Sequence, residues 1–585
     1  MKNVSFGKTQ CRIIMSQSLG EGFIFRFQNM LLFFILFSQI AVSEEYYKNK
    51  ALIVDQPMEA LFLRTQLIES AEKEILLMYY QFHADVDGLI LLSLLKDAAL
   101  RGVSIRIIVD YHENKVGDNF FEDLLRSGDV AVQVYNPLRA SMILNPYRYT
   151  YRMHDKLVLI DRELMLTGGR NVAKPYYGHK DPKRLFDDLN AGDVFEFIYR
   201  SVYGFSPEYI FDVFHEFVSD QFNREKVYID RDVLLSGPVT HLAYEYFLER
   251  WNQKITKPIG LGLFGGLSPE REALKKAYYT KYCKDGLCEN QFYYEYALLL
   301  EEECLESLRA TTRDCYKTSR RFRTRLIRTQ EKFVEVKSLI ENYEEEIQFS
   351  DGDKREIENL KGSKLLSLWT EQLEPVESLE FLNKLSTNIS QNFPGVKSSD
   401  ISKTILDEIA NVNGDLLLQA PYMIPTQELY SSFRSAIENN PDSRIQIVTN
   451  SLFSTDSNWA HAGYERHKAK LLILGVELYE QNTKDLLHSK SMVFGEDVSF
   501  IGTYNLDPRS QNLNSEMGVL IRDYKFSESL RKSIELDMLN TYRIGTDGLP
   551  EGLRSKYPGV PWFRLLSYYK RRMILSILPI IETQL

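Results

Sequence analysis

The sequence predicts an α/β protein made of two related lobes joined by a helical insert. Two segments, 60–110 and 402–450, follow the same order of helix, strand, helix and strand, and this alternation predicts mixed sheets flanked by helices. Each segment is followed by a polar motif with the same internal spacing. Between the halves, at 255–395, long charged helical patterns replace the alternation. The pattern indicates a duplication interrupted by an insert.

The elements of the first half follow from local patterns. Apolar residues at helical spacing over 63–71 predict a helix, and the apolar run 74–80 predicts a strand. A second helix is predicted over 88–101, because Gly102 follows its last periodic residue. The run 103–110 then predicts a buried strand.

The second half repeats this order. A helix is predicted from Ser402, followed by a strand over 415–421. A second helix over 427–438 and a strand over 444–449 complete the repeat.

Length and composition fit several domains. The chain has 585 residues, 44% of them hydrophobic, which is enough to bury sizeable cores. A net charge of −10 argues against nucleic acid as a partner. The predicted domains are a signal peptide or N-terminal anchor (1–44), a first lobe (45–254), the helical insert (255–395), a second lobe (396–550) and a C-terminal amphipathic tail (551–585).

The N-terminal segment has the pattern of a targeting sequence. Arg26 precedes the apolar run 30–37, and small residues follow at 41–43, where a signal peptidase would cut. The run is short for a membrane span, which needs about 20 apolar residues. We therefore predict an exported or membrane-associated protein at the periplasmic or envelope face, with an uncleaved anchor as the alternative.

The cysteines agree with export. After loss of Cys11 with the signal, four remain, and an even number in an exported chain suggests disulfides. Zinc binding and free thiols are the alternatives, although further paired zinc ligands are not evident. The four are Cys283, Cys288, Cys304 and Cys315.

Two further segments carry unusual charge or amphipathicity. The stretch 309–332 holds nine basic residues against two acidic ones, which suits either a phosphate-binding stripe or a solvated helix face. The tail from Trp562 joins a basic cluster, 570–572, to an apolar run. It is predicted either to lie at a membrane interface or to dock on the protein body.

The polar motifs form two matching half-sites. The first has His154, Lys156 and Asp161, and the second has His488 and Lys490. In both copies a glycine lies 14 residues after the histidine and an asparagine 17 residues after it. Alternation along a strand predicts that each histidine and lysine share one face. The two asparagines, Asn171 and Asn505, are predicted to join them.

Imidazole, ammonium and amide groups together suit a phosphodiester. The lysines and asparagines can hold the phosphate oxygens without a metal or other cofactor. One imidazole can attack phosphorus to form a phosphohistidine, and the other can act as general acid and then base. Each half has one histidine, which can serve as the nucleophile or as the general acid but not as both. A complete site therefore needs both halves.

At these residues the chain resembles the phospholipase D superfamily, and further segments resemble bacterial cardiolipin synthases, particularly the C-type branch. The resemblance covers most of 50–252 and 400–585. The matching segments are Gly502–Glu516, Ala420–Tyr422, Thr449–Asp456, His461–Tyr464 and Leu578–Pro579.

The resemblance implies two lobes related by a pseudo-twofold axis, with the active site in the cleft between them. It implies a phosphatidyltransferase at a membrane surface, acting on phosphatidylglycerol and phosphatidylethanolamine. We favour His154 as the nucleophile because its half carries the intact motif. Glu516 and Asp232 would be supporting carboxylates of the two halves. The alternatives are a phospholipase D hydrolase, a metal-independent nuclease and a non-catalytic lipid-binding homologue.

This chain departs from the family pattern at three places. Gly495 stands where the second motif expects aspartate, which the family uses mainly to organise a loop. The stretch 176–228 is extra, and the insert 255–395 has no familiar counterpart.

Overall fold

The computed structural model describes two lobes that share a buried core. It covers residues 48–577 except 115, 117–120, 122–123, 138–149, 179–225, 259–268, 285–286, 289–290, 293, 296, 300–301, 303–365, 385–391, 394–395 and 561. The predicted targeting segment, the basic stretch 309–332, and Cys11, Cys304 and Cys315 lie outside the described residues. Within these residues no helix combines the length and apolarity needed to cross a bilayer.

The elements of the first lobe lie close to their predicted positions. The second helix begins at Asp85, whose carboxylate accepts a hydrogen bond from the backbone of Gly88, and it ends at Gly102 in the left-handed conformation. A 3-10 turn spans Lys174–Tyr177. The helices and strands are β1 (Lys50–Val54), α1 (Pro57–Ser70), β2 (Glu74–Tyr79), α2 (Val86–Arg101), β3 (Ser104–Asp110), β4 (Val130–Tyr135), β5 (Lys156–Ile160), β6 (Leu164–Gly168), β7 (Tyr228–Ile229), β8 (Asp232–Ser236), α3 (Val239–Asn252) and β9 (Thr256–Pro258).

The remainder of the described chain holds the second lobe and parts of the predicted insert. Its elements are α4 (Pro269–Tyr282), β10 (Cys283–Lys284), β11 (Leu287–Cys288), α5 (Ser367–Thr370), β12 (Glu374–Pro375), β13 (Ser378–Asn383), β14 (Asn392–Phe393), β15 (Val396–Asp400), α6 (Ile401–Ala410), β16 (Leu416–Gln419), α7 (Gln427–Asn439), β17 (Ile445–Thr449), α8 (Asn458–Ile473), β18 (Glu477–Gln481), β19 (Leu486–Leu487), β20 (Ser491–Phe494), β21 (Val498–Gly502), α9 (Pro508–Asn512), β22 (Met517–Arg522), α10 (Tyr524–Met538), β23 (Thr541–Arg543) and α11 (Trp562–Ile577).

The two large sheets repeat one topology. The first has the strand order β12-β1-β8-β6-β5-β2-β3-β4-β9, and the second has β14-β15-β13-β22-β21-β20-β16-β17-β18-β23. In each sheet three parallel strands, β2-β3-β4 or β16-β17-β18, adjoin an antiparallel hairpin, β5-β6 or β20-β21. The predicted α/β class with two related lobes of mixed sheet is confirmed.

The central strands are buried on both faces, which explains their nearly continuous apolar sequences. Along β5, Val158 and Ile160 enter the core beneath α1 and α2. Leu157 and Leu159 enter a second core on the opposite face, which also contains Val493 of the second lobe. This shared core joins the two sheets and fixes the lobes relative to each other.

The insert is shorter than predicted at both ends. Strands β9 and β12, predicted to lie in the insert, complete the first sheet, and β13 and β14 belong to the second. Sheet pairing across the lobe boundary depends on long-range contacts, which local patterns do not report. Cys283 and Cys288 are register partners in the β10-β11 hairpin.

Candidate active site

Each histidine of the two motifs is held by backbone from the other lobe. The backbone N–H of His154 donates to the carbonyl of Ser515 at 3.1 Å, and that of His488 donates to the carbonyl of Ile229 at 2.8 Å. The second contact extends the short parallel pairing of β7 with β19. Both histidines therefore lie outside the strands on which the sequence placed them, just before β5 and β20.

The two imidazoles are oriented by crossed carboxylates. His154 Nδ1 lies 2.9 Å from Glu516 Oε2, so its partner comes from the second lobe. His488 Nδ1 lies 2.6 Å from Asp230 Oδ2, so its partner comes from the first. All four side chains are buried. A carboxylate at Nδ1 leaves Nε2 of each ring for chemistry at a substrate.

The two lysines lie beside their histidines and are almost fully buried. Lys156 Nζ donates to the carbonyl of His154 at 2.7 Å. Lys490 Nζ donates to the carbonyl of His488 and lies 3.3 Å from its Nε2. The structure thus brings both histidines and both lysines of the motifs into two equivalent clusters.

The predicted asparagines take different positions in the two halves. Asn171 Nδ2 donates to the hydroxyl of Tyr176 at 2.7 Å, and that hydroxyl lies 3.4 Å from His488 Nε2. Asn505 is buried, and its Oδ1 has no hydrogen-bond partner among the described residues. The backbone N–H of Asn505 donates to Ser510 Oγ, and that hydroxyl donates to Glu516, the partner of His154. The unfilled buried acceptor therefore lies on the His154 side of the site, where it fits a donor supplied by a substrate.

Aromatic rings close the cluster around His488. Tyr228 stacks on its imidazole at a centroid distance of 5.8 Å, and Tyr176 meets it edge-on at 5.1 Å. On the opposite side, Tyr80 meets the ring of His154 edge-on at 5.0 Å. These rings limit the rotation of both imidazoles and exclude water around them.

The half-sites share one electrostatic environment. Burial, and then the ammonium groups of Lys156 and Lys490 and the ring of His488, hold the pKa of His154 well below its usual value. Burial and Lys490 lower the pKa of His488 to about 4 against the opposing effect of Asp230. Both imidazoles are therefore neutral near pH 7, and each responds to charges of the other half.

The lysines and carboxylates are shifted as well. Burial and the neighbouring ammonium of Lys490 lower the pKa of Lys156 to about 7, while burial lowers that of Lys490 to about 8. Burial alone would raise the pKa of Asp230, but His488 and Lys490 hold it far below its usual value. Burial raises the pKa of Glu516. An anionic phosphate would stabilise the charged form of both lysines.

The carboxylate that corresponds to Glu516 is Asp230, which the sequence-based prediction missed in favour of Asp232. The strand pairs β6-β8 and β21-β22 correspond in the two sheets. Gly168 pairs with Asp232 in the first, and Gly502 pairs with Gly518 in the second. Asp232 is therefore equivalent to Gly518, which lies two residues after Glu516. Asp230 lies only two residues before Asp232 in the sequence. Only the opposite lobe reveals which of the two acids faces a histidine.

Asp232 instead lies in a buried ion cluster away from the histidines. Its Oδ2 is 2.9 Å from Arg64 Nη2 and 3.2 Å from Arg170 Nη1. All three side chains are at most 3% exposed. These contacts tie α1 to the loop after β6, so Asp232 supports the site through the fold.

The structure does not bring Asp161 to the clusters. It follows β5, five residues and about 17 Å of strand from Lys156. Its carboxylate accepts hydrogen bonds from the backbone of residues 72–74 at 2.7–2.8 Å. Gly495 occupies the equivalent position of the second lobe. Its N–H donates to the backbone carbonyl of Asp415, just as the N–H of Asp161 donates to the backbone carbonyl of Glu74. The missing aspartate is therefore remote from His488.

Comparison with known proteins agrees with this architecture. Residues 65–181 and 405–538 match the family model described as "Cardiolipin synthase, PLD-like domain". Cardiolipin synthase C of Escherichia coli K12 is 23% identical over 509 residues, 82% of each chain. An uncharacterised protein of Helicobacter pylori J99 is 22% identical over 512 residues, covering 83% of this chain and 79% of that one.

A solved structure shares the whole fold. The phosphatidylserine synthase of Haemophilus influenzae Rd KW20 aligns with a TM-score of 0.50 over 94% of this chain and 99% of its own, at 13% identity. Each lobe of the chain therefore contains a phospholipase D-like domain. The chain is cardiolipin synthase-like, as the family model and the Escherichia coli relative both indicate.

Proposed function

We propose that this protein is a phosphatidyltransferase that makes cardiolipin from membrane phospholipids through a phosphohistidine intermediate. The observation that carries the proposal is the pair of crossed contacts, His154 to Glu516 and His488 to Asp230. They orient two neutral imidazoles within one buried cationic site. Such a site can supply a nucleophile, an acid and phosphate-binding groups together.

In the first step, Nε2 of His154 attacks the phosphorus of phosphatidylglycerol. Binding of the anionic phosphate beside Asp230 favours uptake of a proton from solvent by His488. The bond from phosphorus to the headgroup oxygen then breaks, and His488 donates this proton to that oxygen, so glycerol leaves. Asp230, held anionic, stabilises the imidazolium form of His488 that this step needs. Lys156 and Lys490 bind the non-bridging phosphate oxygens.

In the second step, neutral His488 accepts the proton from the headgroup hydroxyl of a second lipid. That oxygen attacks phosphorus and the bond to His154 breaks, which regenerates both imidazoles. Two phosphatidylglycerols then give cardiolipin and glycerol. With phosphatidylethanolamine as donor, ethanolamine leaves instead.

Location at a membrane surface on the envelope side is part of the proposal, since the substrates reside in bilayers and the N-terminal sequence has a targeting pattern.

The test is a product assay on purified full-length protein with labelled phosphatidylglycerol in mixed micelles. Labelled cardiolipin is expected, and it should require His154. Phosphatidic acid as the only product would instead assign a hydrolase, in which water resolves the intermediate. Plasmid cleavage in the presence of a chelator, without lipid turnover, would assign a nuclease. No turnover of either substrate would leave a lipid-binding role.

The alkaline side of the pH profile should follow the lysines. Lys156, with a pKa of about 7, and Lys490, with a pKa of about 8, lose their charge as the pH rises. The low pKa of His488 already makes kcat/KM fall with rising pH, and we expect this fall to steepen between pH 7 and 9, since kcat/KM reports the free enzyme. The fall in kcat should come at higher pH, because bound phosphate favours the ammonium forms. Steady-state kinetics with soluble short-chain phosphatidylglycerol will measure both, and a flat kcat/KM to pH 9 would contradict this assignment.

Loss of the Asp161 carboxylate should affect stability but not chemistry. Asp161→Gly gives the first half the same residue that the second half already has at the equivalent position, Gly495. It leaves three backbone N–H groups without their acceptor, two of them exposed to water. We expect the free energy of unfolding to fall by about 1–2 kcal/mol, with an unchanged rate per folded molecule. A large fall in kcat measured well below the unfolding temperature would place Asp161 in the chemistry.

A further inference from the structure

Helix α11 is fastened by its inner face to a loop beside the candidate site. Arg564, only 1% exposed, donates from Nη2 to the carbonyl of Thr455 at 2.6 Å. Asn458 Nδ2 donates to Ser567 Oγ at 3.2 Å. The residue after Thr455 is Asp456, whose negative charge raises the pKa of Lys490 against burial. The carbonyl of Thr455 also accepts a hydrogen bond from Lys226, two residues before the Tyr228 ring that stacks on His488. The helix is therefore fastened to a loop that contacts the surroundings of the second half-site.

The outer face of α11 is apolar and exposed. Trp562 is 72% exposed, Leu566 48%, Tyr569 52% and Met573 59%. Their spacings of four, three and four residues place them in one stripe along the helix. Large apolar side chains aligned in this way on an exposed surface mark an interaction site, whereas scattered ones do not.

The charge around this stripe is basic, in contrast to the whole chain. The segment 562–577 contains no acidic residue and, besides the buried Arg564, three basic ones, while the chain carries a net charge of −10. At 100° per residue, Lys570 and Arg572 project roughly 70–90° to either side of the stripe. Basic side chains at the edges of an apolar face can reach anionic headgroups while the apolar groups enter the lipid.

We propose that this stripe of α11 docks on the surface of an anionic phospholipid bilayer. The choice of lipid as the occupant rests on the proposed function, because the substrates of a phosphatidyltransferase lie in such a surface. Aromatic and aliphatic groups would enter the interface, and the flanking cations would bind the headgroups. Because Arg564 joins α11 to the loop that carries Asp456, docking also fixes the orientation of the neighbouring cleft toward its substrates.

Tryptophan fluorescence tests the contact directly on the full-length protein. Of the four tryptophans, Trp562 alone is exposed, while Trp251, Trp369 and Trp459 are buried or half-buried. Vesicles of phosphatidylcholine and phosphatidylglycerol with brominated acyl chains should quench part of the emission, and Trp562→Phe should abolish that quenched part. Because the signal comes from α11, membrane contact by another segment does not produce it. Absence of quenching with these vesicles would overturn the proposal.

A charged variant of the stripe tests its energetic role. Leu566→Glu combined with Met573→Glu should weaken vesicle-dependent quenching at least about tenfold in lipid concentration, since two apolar contacts are lost. Leu539→Glu is the matched control, because Leu539 is 77% exposed but lies outside α11, and it should bind like the wild type. Omission of phosphatidylglycerol should also weaken binding. A lipid-free dimer that the double variant dissociates would overturn the proposal in favour of a second copy of the chain.

The docking proposal and the proposed function fail in different ways. With monomeric short-chain phosphatidylglycerol in solution, the double variant should retain wild-type turnover, whereas on vesicles it should be slower. Quenching without turnover of any lipid would refute the proposed function and support docking. Turnover of vesicle lipid that the double variant leaves unchanged would refute docking and support the proposed function.

Discussion

Replacement of His154 with alanine should lower the rate of phosphatidyl transfer by at least about a thousandfold, and replacement of His488 should do the same. One substitution removes the nucleophile and the other the proton donor. The double variant should be no slower than the more severe single variant, because the two imidazoles act in one reaction. The rates follow from labelled cardiolipin formed from phosphatidylglycerol.

The two histidine variants should also differ from each other. After rapid denaturation in detergent at mildly alkaline pH, where the P–N bond of a phosphohistidine survives, labelled lipid is expected on the protein in the His488→Ala variant, where the nucleophile remains, and not in His154→Ala. His241→Ala is the control, since that ring lies on α3 with 42% of its side chain exposed. Label on the His154→Ala protein would show that His488 is the nucleophile. Rapid transfer by both single variants would refute the two-imidazole mechanism.

Replacement of Asp232 with alanine should lower the free energy of unfolding by about 3–5 kcal/mol. The substitution leaves the buried guanidinium groups of Arg64 and Arg170 without the carboxylate that they share. Denaturant unfolding followed by circular dichroism will measure the loss. This is the largest effect on stability that we expect from removing one side chain outside the two clusters.

A surface ion pair provides the contrast for Asp232. Asp129 is 64% exposed and lies 3.0 Å from Arg106, so Asp129→Ala should cost less than about 1 kcal/mol. Equal losses for the two variants would mean that water reaches the Asp232 cluster. A selective loss of turnover in Asp232→Ala at unchanged stability would instead restore the role in chemistry that its position in the sequence suggested.

Local patterns were sufficient to predict the repeated unit of helix, strand, helix and strand in each half. The predicted strand 74–80 and helix 88–101 correspond to β2 and α2, and the predicted helix 427–438 corresponds to α7. Each is specified by its own periodicity and capping residues. The motif spacing likewise identified both histidine–lysine pairs, because those residues are close in sequence.

Contacts between the lobes were beyond such patterns. His488 and Asp230 are 258 residues apart, and His154 and Glu516 are 362 apart. Which acid faces which ring depends on how the shared core sets one sheet against the other. The same limit explains why the sequence did not reveal Tyr176. Asp161 was grouped with His154 because the two are close in sequence, although β5 separates them in the structure.

Because the pairs are crossed, each half of the chain supplies the carboxylate that orients the histidine of the other half. Were the halves produced as separate polypeptides, neither would hold its own imidazole in place, and function would return only on reassembly. A separate protein equivalent to one half would find the second imidazole and the carboxylate partner of its own histidine only in a second copy of itself. Fusion into a single polypeptide keeps that reciprocal dependence while allowing the two halves to diverge, as Gly495 and Asp161 have done.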